Sequence, residues 1–150
     1  MRSFRDVIVA LLVLGMSACS TPLPSDIGDY ANDCILMTPE PHPPTSGDPH
    51  DGFKDVYACG IELAALVALT NTGDPWPEDS MVLKESTKGY QDYPWLIATA
   101  RKENGKWAWA EYTRNFPDED FGQILVSEDV CVDCHKDFAD TDFIFTRYIP

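Results

Sequence analysis

The most regular pattern of apolar and polar positions lies between residues 95 and 113. Two strand-like runs, WLIATARKE (95–103) and KWAWAEYT (106–113), flank Asn104-Gly105, and this pair is the strongest short signal for a hairpin turn. Alternation gives the second run two faces, with Trp107, Trp109 and Glu111 on one and Ala108, Ala110 and Tyr112 on the other. We therefore expect an antiparallel hairpin with one bulky face and one mostly small face.

Other segments predict helices and further strands. YACGIELAALVALT (57–70) is rich in Ala and Leu and is followed by a glycine and a proline, which favours a buried helix. SMVLKES (80–86) and TDFIFTRYI (141–149) are typical of strands, and Ser127 is a candidate N-cap for a helix that starts near Glu128. Together these elements predict an α+β fold, a predominantly antiparallel β-sheet with two or three helices.

The N-terminus predicts a secretory signal. MRSFRDVIVALLVLGMSACS combines a basic start with an apolar run, Val7–Leu14, that is too short to span a bilayer. GMSAC resembles a bacterial lipobox, which would make Cys19 the first mature residue and the site of lipid attachment. The alternative is an ordinary signal peptide, with Cys19 cleaved off or left spare. We expect residues 1–18 to be a lipoprotein signal peptide, and the mature protein to be exported to a bacterial periplasm with a lipid as its membrane anchor.

Residues 19–52 are predicted to be a tether and a Pro-rich loop, and residues 53–150 the folded domain. The segment TPEPHPPTSGDPHD (38–51) has five prolines and no apolar run, so we expect it to form a loop. Its two histidines, His42 and His50, are expected to be solvated side chains rather than metal ligands.

The chain is strongly acidic, with 25 Asp and Glu against 11 Lys and Arg and a net charge of −14. Such a chain has little to offset phosphate charge, which argues against a nucleic-acid partner and against a basic patch for anionic lipid. The charge would suit a cationic redox partner or a small neutral or cationic substrate. It would also serve simply to keep an exported protein soluble.

The segment CVDCH (131–135) has the C-x-x-C-H spacing that attaches a c-type haem. On a helix, the thiols of Cys131 and Cys134 project toward one edge of a porphyrin, and His135 can turn to the iron. A zinc site would need a second ligand pair, a redox dithiol would need a βαβ context, and a plain disulfide would leave the histidine unexplained. We therefore expect one covalent haem c per chain, with His135 as the axial ligand.

Two further cysteines, Cys34 and Cys59, remain as an even pair. An exported chain enters an oxidising compartment, where disulfides persist. A bond between them would close the Pro-rich loop and would stabilise the fold by about 3 kcal/mol in the chain-entropy description. The alternative is two free buried thiols.

The haem motif ends fifteen residues before the C-terminal Pro150. In ordinary small cytochromes c the motif lies near the N-terminus, and a later loop delivers a methionine to the sixth position of the iron. The mature methionines here, Met37 and Met81, lie in no such loop. This order argues against the ordinary cytochrome c fold. A methionine or a second histidine at the sixth position would make an electron carrier, whereas an open position would allow small molecules to bind.

Three blocks in this order carry a more specific signal: FKDVYACGIELAALVALTNTGDPWPEDSMVLKES (53–86), GKWAWAEY (105–112) and CVDCHKDFADTDFIFTRY (131–148). Together they resemble the cytochrome P-460 family, which includes the cytochromes c′-beta, and the last block is the most specific. The sequence departs from the family at Asp79-Ser80, where a glycine-threonine is usual, and residues before 53 do not match.

The resemblance implies a predominantly β protein, usually a homodimer, with a five-coordinate haem held by His135. In the P-460 members a lysine is linked covalently to the porphyrin and the protein oxidises hydroxylamine; by block position this lysine would be Lys84. These members also carry a distal carboxylate that accepts substrate protons. Glu128 is the first candidate for that base and Glu111 the second.

Two functions stay open on the sequence alone. The first is an oxidoreductase that acts on hydroxylamine or a related small nitrogen species and passes electrons to a redox partner protein. The second is a c′-beta-like haem protein that binds nitric oxide or a similar diatomic gas, or transfers electrons, without turnover. The presence of Lys84 favours the first.

Overall fold

The structure is a computed structural model that describes residues 21–150. The predicted signal peptide and Cys19 lie outside the described residues, so the lipid anchor stays a prediction. Within residues 21–150, no helix has both the length and the apolar character needed to cross a membrane.

A six-stranded antiparallel sheet forms the centre of the fold, with its strands side by side in chain order. The strands are β1 (Ile35–Leu36), β2 (Phe53–Cys59), β3 (Met81–Thr87), β4 (Leu96–Glu103), β5 (Lys106–Thr113) and β6 (Gly122–Ile124). Because every strand pairs with its neighbours in sequence, the sheet is a simple meander. The strand predicted over residues 80–86 is confirmed as β3.

Three α-helices accompany the sheet in the described part of the chain: α1 (Tyr30–Asp33), α2 (Leu63–Thr72) and α3 (Glu128–His135). Short 3-10 helices cover Ser25–Ile27 and Lys136–Thr141. The α+β class with a predominantly antiparallel sheet, predicted from the sequence, is confirmed.

The predicted hairpin is also confirmed. β4 and β5 pair along their full lengths and leave Asn104 and Gly105 as the turn. Both turn residues have positive φ, 53° and 75°, and a two-residue turn of this kind needs that conformation to match the twist of the strands.

The helix predicted over residues 57–70 begins too early, and it is not the buried helix expected, since only Leu66 and Leu69 of α2 are buried. Residues 57–59 belong to β2 and pair with β3, and Gly60, with a φ of 68°, ends the strand. α2 starts only at Leu63 and stops at Gly73 in the left-handed conformation, as the glycine predicted. The prediction failed because the end of β2 is buried on both faces, so its sequence lacks the alternation that marks a strand.

The strand predicted over residues 141–149 is wrong. Asp142 and Phe143 take left-handed conformations, with φ of 51° and 67°, and the residues after them join no strand. Ile144 and Thr146 are buried while Phe145 is exposed, so burial alternates as in a strand although no ladder forms. The alternating sequence pattern therefore indicates which side chains are buried, but it does not indicate whether the backbone pairs with another strand.

The N-terminal segment is part of the fold. Ile27 and Met37 are fully buried, and β1 pairs with β2. A disulfide joins Cys34 to Cys59, the pairing predicted from the cysteine count, with 4.5 Å between the two Cα atoms. The folded part of the chain therefore begins well before residue 53.

The sheet is covered on both faces. The face below α2 carries a core with members from four strands and the C-terminal segment: Val56, Ala58, Val82, Ala100, Trp107 and Ile144, with Leu66 and Leu69 of the helix. The opposite face meets the N-terminal segment through a second core: Tyr57, Met81, Leu83, Ile97 and Tyr112, with Ile27. Lys84 on β3 and Glu111 on β5 lie on the first face, in alternation with Val82 and Trp107.

Candidate functional site

Helix α3 carries the whole C-x-x-C-H motif. It begins at Glu128, as predicted, with Ser127 at the N-cap in an extended conformation. The hydroxyl of Ser127 makes no capping hydrogen bond. Only the backbone of Ser127 contributes to this helix end, because its carbonyl accepts from the N–H of Val130. Two acidic residues in the first turn, Glu128 and Asp129, favour this end of the helix through its dipole.

A cavity of about 230 Å³ lies between this helix and the sheet. Small side chains of β4, Ala98 and Ala100, form part of its wall and make the room. Six ionisable side chains contribute to its lining: His50, Lys84, Glu111, Cys131, Cys134 and His135. They come from the Pro-rich loop, β3, β5 and α3, so the fold brings together residues that are far apart in sequence.

His135 is buried, with a relative exposure of 9%. Its Nδ1–H donates to the carbonyl of Phe143 at 2.8 Å, which leaves Nε2 as the nitrogen with a lone pair. Its ring packs against Trp109 and Phe145, with centroids 4.6 and 5.1 Å away. Burial lowers the pKa of His135, against the opposing effect of the bond to Phe143, so the imidazole is held neutral. A neutral imidazole oriented by a second hydrogen bond is the usual state of a metal-binding histidine.

The Phe143 carbonyl is itself held by a cluster around Asp142. The Asp142 carboxylate accepts from Nζ of Lys102 at 2.6 and 2.9 Å and from the backbone N–H of Trp76 at 2.9 Å. Its backbone carbonyl accepts from Nε1 of Trp107 at 2.7 Å. These contacts offset the cost of two consecutive left-handed residues and fix the turn that supports His135.

Lys84 points its ammonium group into the same cavity region. Its Nζ donates to Nδ1 of His50 at 3.1 Å and lies 5.0 Å from the centroid of the Phe145 ring. Burial lowers the pKa of Lys84, and the charge of Asp48 opposes this effect. The lysine is therefore easier to deprotonate than an exposed one.

Glu111 is the carboxylate of the cavity. Its Oε1 accepts from Nε2–H of His50 at 2.9 Å, and its side chain is only 15% exposed. Glu128 is exposed on the first turn of α3 and is not part of the cavity lining. The first choice of base from the sequence is therefore not supported by the geometry, while the second choice, Glu111, is.

The prediction that both loop histidines are solvated is wrong. His50 is 12% exposed and sits between Lys84 and Glu111. His42 is half-buried: its backbone pairs with Lys54, and its Nε2 is buried without a hydrogen-bond partner in the described residues. No local signal separates these histidines from solvated ones, because their burial depends on how the loop returns to β2.

The two methionines within residues 21–150, Met37 and Met81, lie away from the cavity. Met37 is fully buried beside α2, and Met81 belongs to the core on the opposite face of the sheet. Neither is among the residues that line the cavity. In the described residues, therefore, no methionine side chain lies in the cavity opposite His135.

The donor set fits a c-type haem. The Cys131 and Cys134 thiols are free, lie on one helix and line the cavity together with His135. Within residues 21–150, no group of three His, Cys, Asp or Glu side chains is arranged to hold a metal ion directly.

Comparisons of the whole chain with protein-family models and with curated proteins found no match. The resemblance to the cytochrome P-460 family therefore rests on the three sequence blocks.

Proposed function

We propose that this chain is an exported mono-haem c-type cytochrome of the cytochrome P-460 kind, which oxidises hydroxylamine or a related small nitrogen species. One observation carries the proposal: a single cavity is lined by both motif cysteines, His135, Lys84 and Glu111. Three separate elements supply these residues. A structural disulfide between Cys131 and Cys134 would not require His135, Lys84 or Glu111 to lie beside it.

The residues that would hold the cofactor are those of the motif. Cys131 and Cys134 would form the thioether bonds, and His135 would provide Nε2 to the iron, with its orientation fixed by Phe143. A bound haem c would supply an iron that binds the substrate nitrogen and takes up its electrons.

Glu111 is the proposed proton acceptor. Oxidation of hydroxylamine releases protons, and a base within the cavity must take them. Glu111 has one carboxylate oxygen bound to His50, and it lines the cavity with little exposure to solvent. Its position on β5 is part of a rigid strand, which suits a base that must be held in place.

Lys84 is the proposed site of the covalent link to the porphyrin edge. Forming a bond from Nζ to a porphyrin carbon breaks one N–H and one C–H bond, so an external two-electron oxidant such as a peroxide must take up the two electrons, and two protons leave. Burial lowers the pKa of Lys84, and a desolvated lysine is a better nucleophile than a solvated one. It lies on the central strand β3, and its Nζ is within hydrogen-bonding distance of a cavity residue, His50.

A second function is supported by the apolar part of the cavity. Val82, Ala98, Ala100 and Ile144 line it beside the polar groups, and an apolar wall near an open iron position suits a diatomic gas such as nitric oxide. This c′-beta-like alternative needs neither the lysine link nor the base.

The net charge and the N-terminus complete the proposal. A charge of −14 suits a cationic redox partner protein and does not suit nucleic acid. We place the protein in the bacterial periplasm, anchored by a lipid on Cys19, and as a homodimer by resemblance.

The test is hydroxylamine turnover by the full chain, made in a host that matures c-type haem, with an artificial electron acceptor. Glu111→Gln should lower kcat by about a hundredfold or more, because it removes the proton acceptor but keeps a hydrogen-bond acceptor for His50. Glu128→Gln is the matched control and should leave kcat unchanged. Tight nitric oxide binding with no turnover by the wild type would favour the gas-binding function instead.

A further inference from the structure

The cavity contains one ionisable side chain to which the proposed chemistry gives no role. His50 lies on the Pro-rich loop, outside the blocks that carry the family resemblance, and yet it touches both Lys84 and Glu111. Its side chain is 12% exposed, and burial of this kind on a loop needs specific anchoring.

The loop that carries His50 is fastened at several points. The carboxylate of Asp48 accepts from Nζ of Lys54 on β2 at 2.6 Å and from the backbone N–H of His50 at 2.9 Å. Nε1 of Trp95 donates to the carbonyl of Asp51 at 3.0 Å. The position of the imidazole is therefore set by contacts on both sides of it along the chain.

The hydrogen bonds of the ring assign its tautomer. A neutral imidazole has one donor and one acceptor nitrogen. Nδ1 accepts from an N–H of Lys84 Nζ at 3.1 Å, a bond that the linked secondary amine can also make, so Nε2 carries the hydrogen and donates to Glu111 at 2.9 Å. Both nitrogens are used, and each has a partner of the correct kind.

The competing tautomer is disfavoured by the groups around the ring. Asp48 Oδ1 lies 3.7 Å from Nδ1, too far for a hydrogen bond, and its other oxygen is held by Lys54. The remaining charged or titratable groups that face the ring are Lys84 on β3 and Glu111 on β5, with His135 of α3 farther away. Lys84 and Glu111 therefore both require the hydrogen of His50 to be on Nε2.

We infer that His50 is a positioning residue for Glu111: its Nδ1 accepts from Lys84, and its Nε2–H holds the carboxylate in one orientation inside the cavity. The inference rests on the proposed function for the role of Glu111, but the hydrogen-bond chain itself does not. One oxygen of Glu111 is occupied by His50, which leaves the second oxygen to accept a proton. Loss of the chain would let the carboxylate rotate away from the substrate.

The tautomer can be tested without turnover. Long-range nitrogen–proton NMR spectra of the labelled full chain, reduced and saturated with carbon monoxide so that a haem is diamagnetic, report which nitrogen of His50 is protonated. We expect the Nε2–H form in the wild type and also in Lys84→Met, because the Glu111 carboxylate accepts from Nε2–H in both. An Nδ1–H form in the wild type would overturn the inference.

Kinetics test the positioning role. His50→Phe should lower kcat for hydroxylamine by about a hundredfold, as expected for a misplaced catalytic group, with KM within about twofold. His50→Gln should recover most of the loss, because its amide can donate to Glu111 and accept from Lys84. The matched control is His42→Gln, the other loop histidine, which should behave as the wild type.

The outcomes separate the two claims. A wild-type kcat in His50→Phe, or a His50→Gln variant as slow as His50→Phe, would contradict positioning. A wild type that carries haem but turns over no hydroxylamine would remove the proposed function, and the NMR result would then decide on the hydrogen-bond chain alone.

Discussion

Replacing Lys102 by methionine tests whether the Asp142 cluster holds the turn behind the haem motif. The change removes the ammonium group but keeps a long apolar side chain of similar volume. It leaves the Asp142 carboxylate with only the Trp76 backbone N–H as a partner. The turn that presents the Phe143 carbonyl to His135 then loses its strongest contact.

The magnitude follows from burial. The side chains of Lys102 and Asp142 are 6% and 15% exposed, and Nζ lies 2.6 and 2.9 Å from the two carboxylate oxygens. Removing one partner of a buried ion pair costs about 3–5 kcal/mol, because the other charge stays buried and unpaired. Because the hydrogen bond from Trp76 remains, we expect the free energy of unfolding to fall by about 3 kcal/mol, near the lower end of this range. This is a large part of the roughly 5–15 kcal/mol that stabilises a typical domain.

The assay is urea unfolding of the full chain with its disulfide intact. Lys106→Met is the matched control, since Lys106 is exposed on the same hairpin and should change the free energy of unfolding by less than about 0.5 kcal/mol. Adding Asp142→Asn to Lys102→Met should cost less than it costs in the wild type, because the unpaired charge is gone. A Lys102→Met variant within about 1 kcal/mol of the wild type would refute the reasoning.

Three further predictions concern other parts of the fold. Replacing both Cys34 and Cys59 by serine should lower the free energy of unfolding by about 3 kcal/mol, and urea midpoints equal to the wild type would contradict this. Gly52→Ala should lower the free energy of unfolding by at least about 2 kcal/mol, since φ is +116° and a Cβ there would lie 2.5 Å from a backbone carbonyl oxygen. Gly47→Ala, with a φ of +83° and open space around the Cβ, should lower it by only about 1 kcal/mol. Equal losses in the two variants would exclude the steric cause. Burial raises the pKa of Tyr57 to about 12 from 10.0, so the folded state favours the protonated phenol. The contribution of Tyr57 to the free energy of unfolding is therefore fully present below pH 10 and is lost as the pH rises toward 12. Tyr57→Phe should flatten that alkaline loss in unfolding curves at pH 8, 10 and 11.5, and an unchanged slope would show that other groups cause it.

The hairpin turn and the end of α2 could be predicted from the sequence, because a few neighbouring residues determine them. The Asn104-Gly105 turn needs positive φ at both positions, and few other residue pairs provide it, so the hairpin could be read from the sequence. The stop of α2 at Gly73 was predicted for the same reason, whereas α3 begins at the predicted residue although the hydroxyl of Ser127 makes no capping hydrogen bond. The beginning of α2 was not predicted, because residues 57–59 are held in β2 by pairing with β3, which local composition does not report.

The candidate site divides in the same way. Strand alternation placed Glu111 on the same face as two tryptophans, and the resemblance named Lys84, but only the register of β3, β4 and β5 brings them to one cavity. Glu128, the first candidate, lies outside the cavity lining, because closeness to the motif in sequence does not give closeness in space. His50 could not be predicted at all, since its place depends on the ion pair between Asp48 and Lys54 that folds the loop back.

The central claim is that Cys131, Cys134 and His135 hold a covalent haem in the cavity lined by Lys84. Mass spectrometry of the full chain, made in a host that matures c-type haem and then digested, tests it most directly. We predict one haem on the peptide that contains both cysteines, attached also to the peptide of Lys84, and no haem on a Cys131→Ser/Cys134→Ser variant. A wild-type chain without haem, or with a bond between Cys131 and Cys134, would contradict the account.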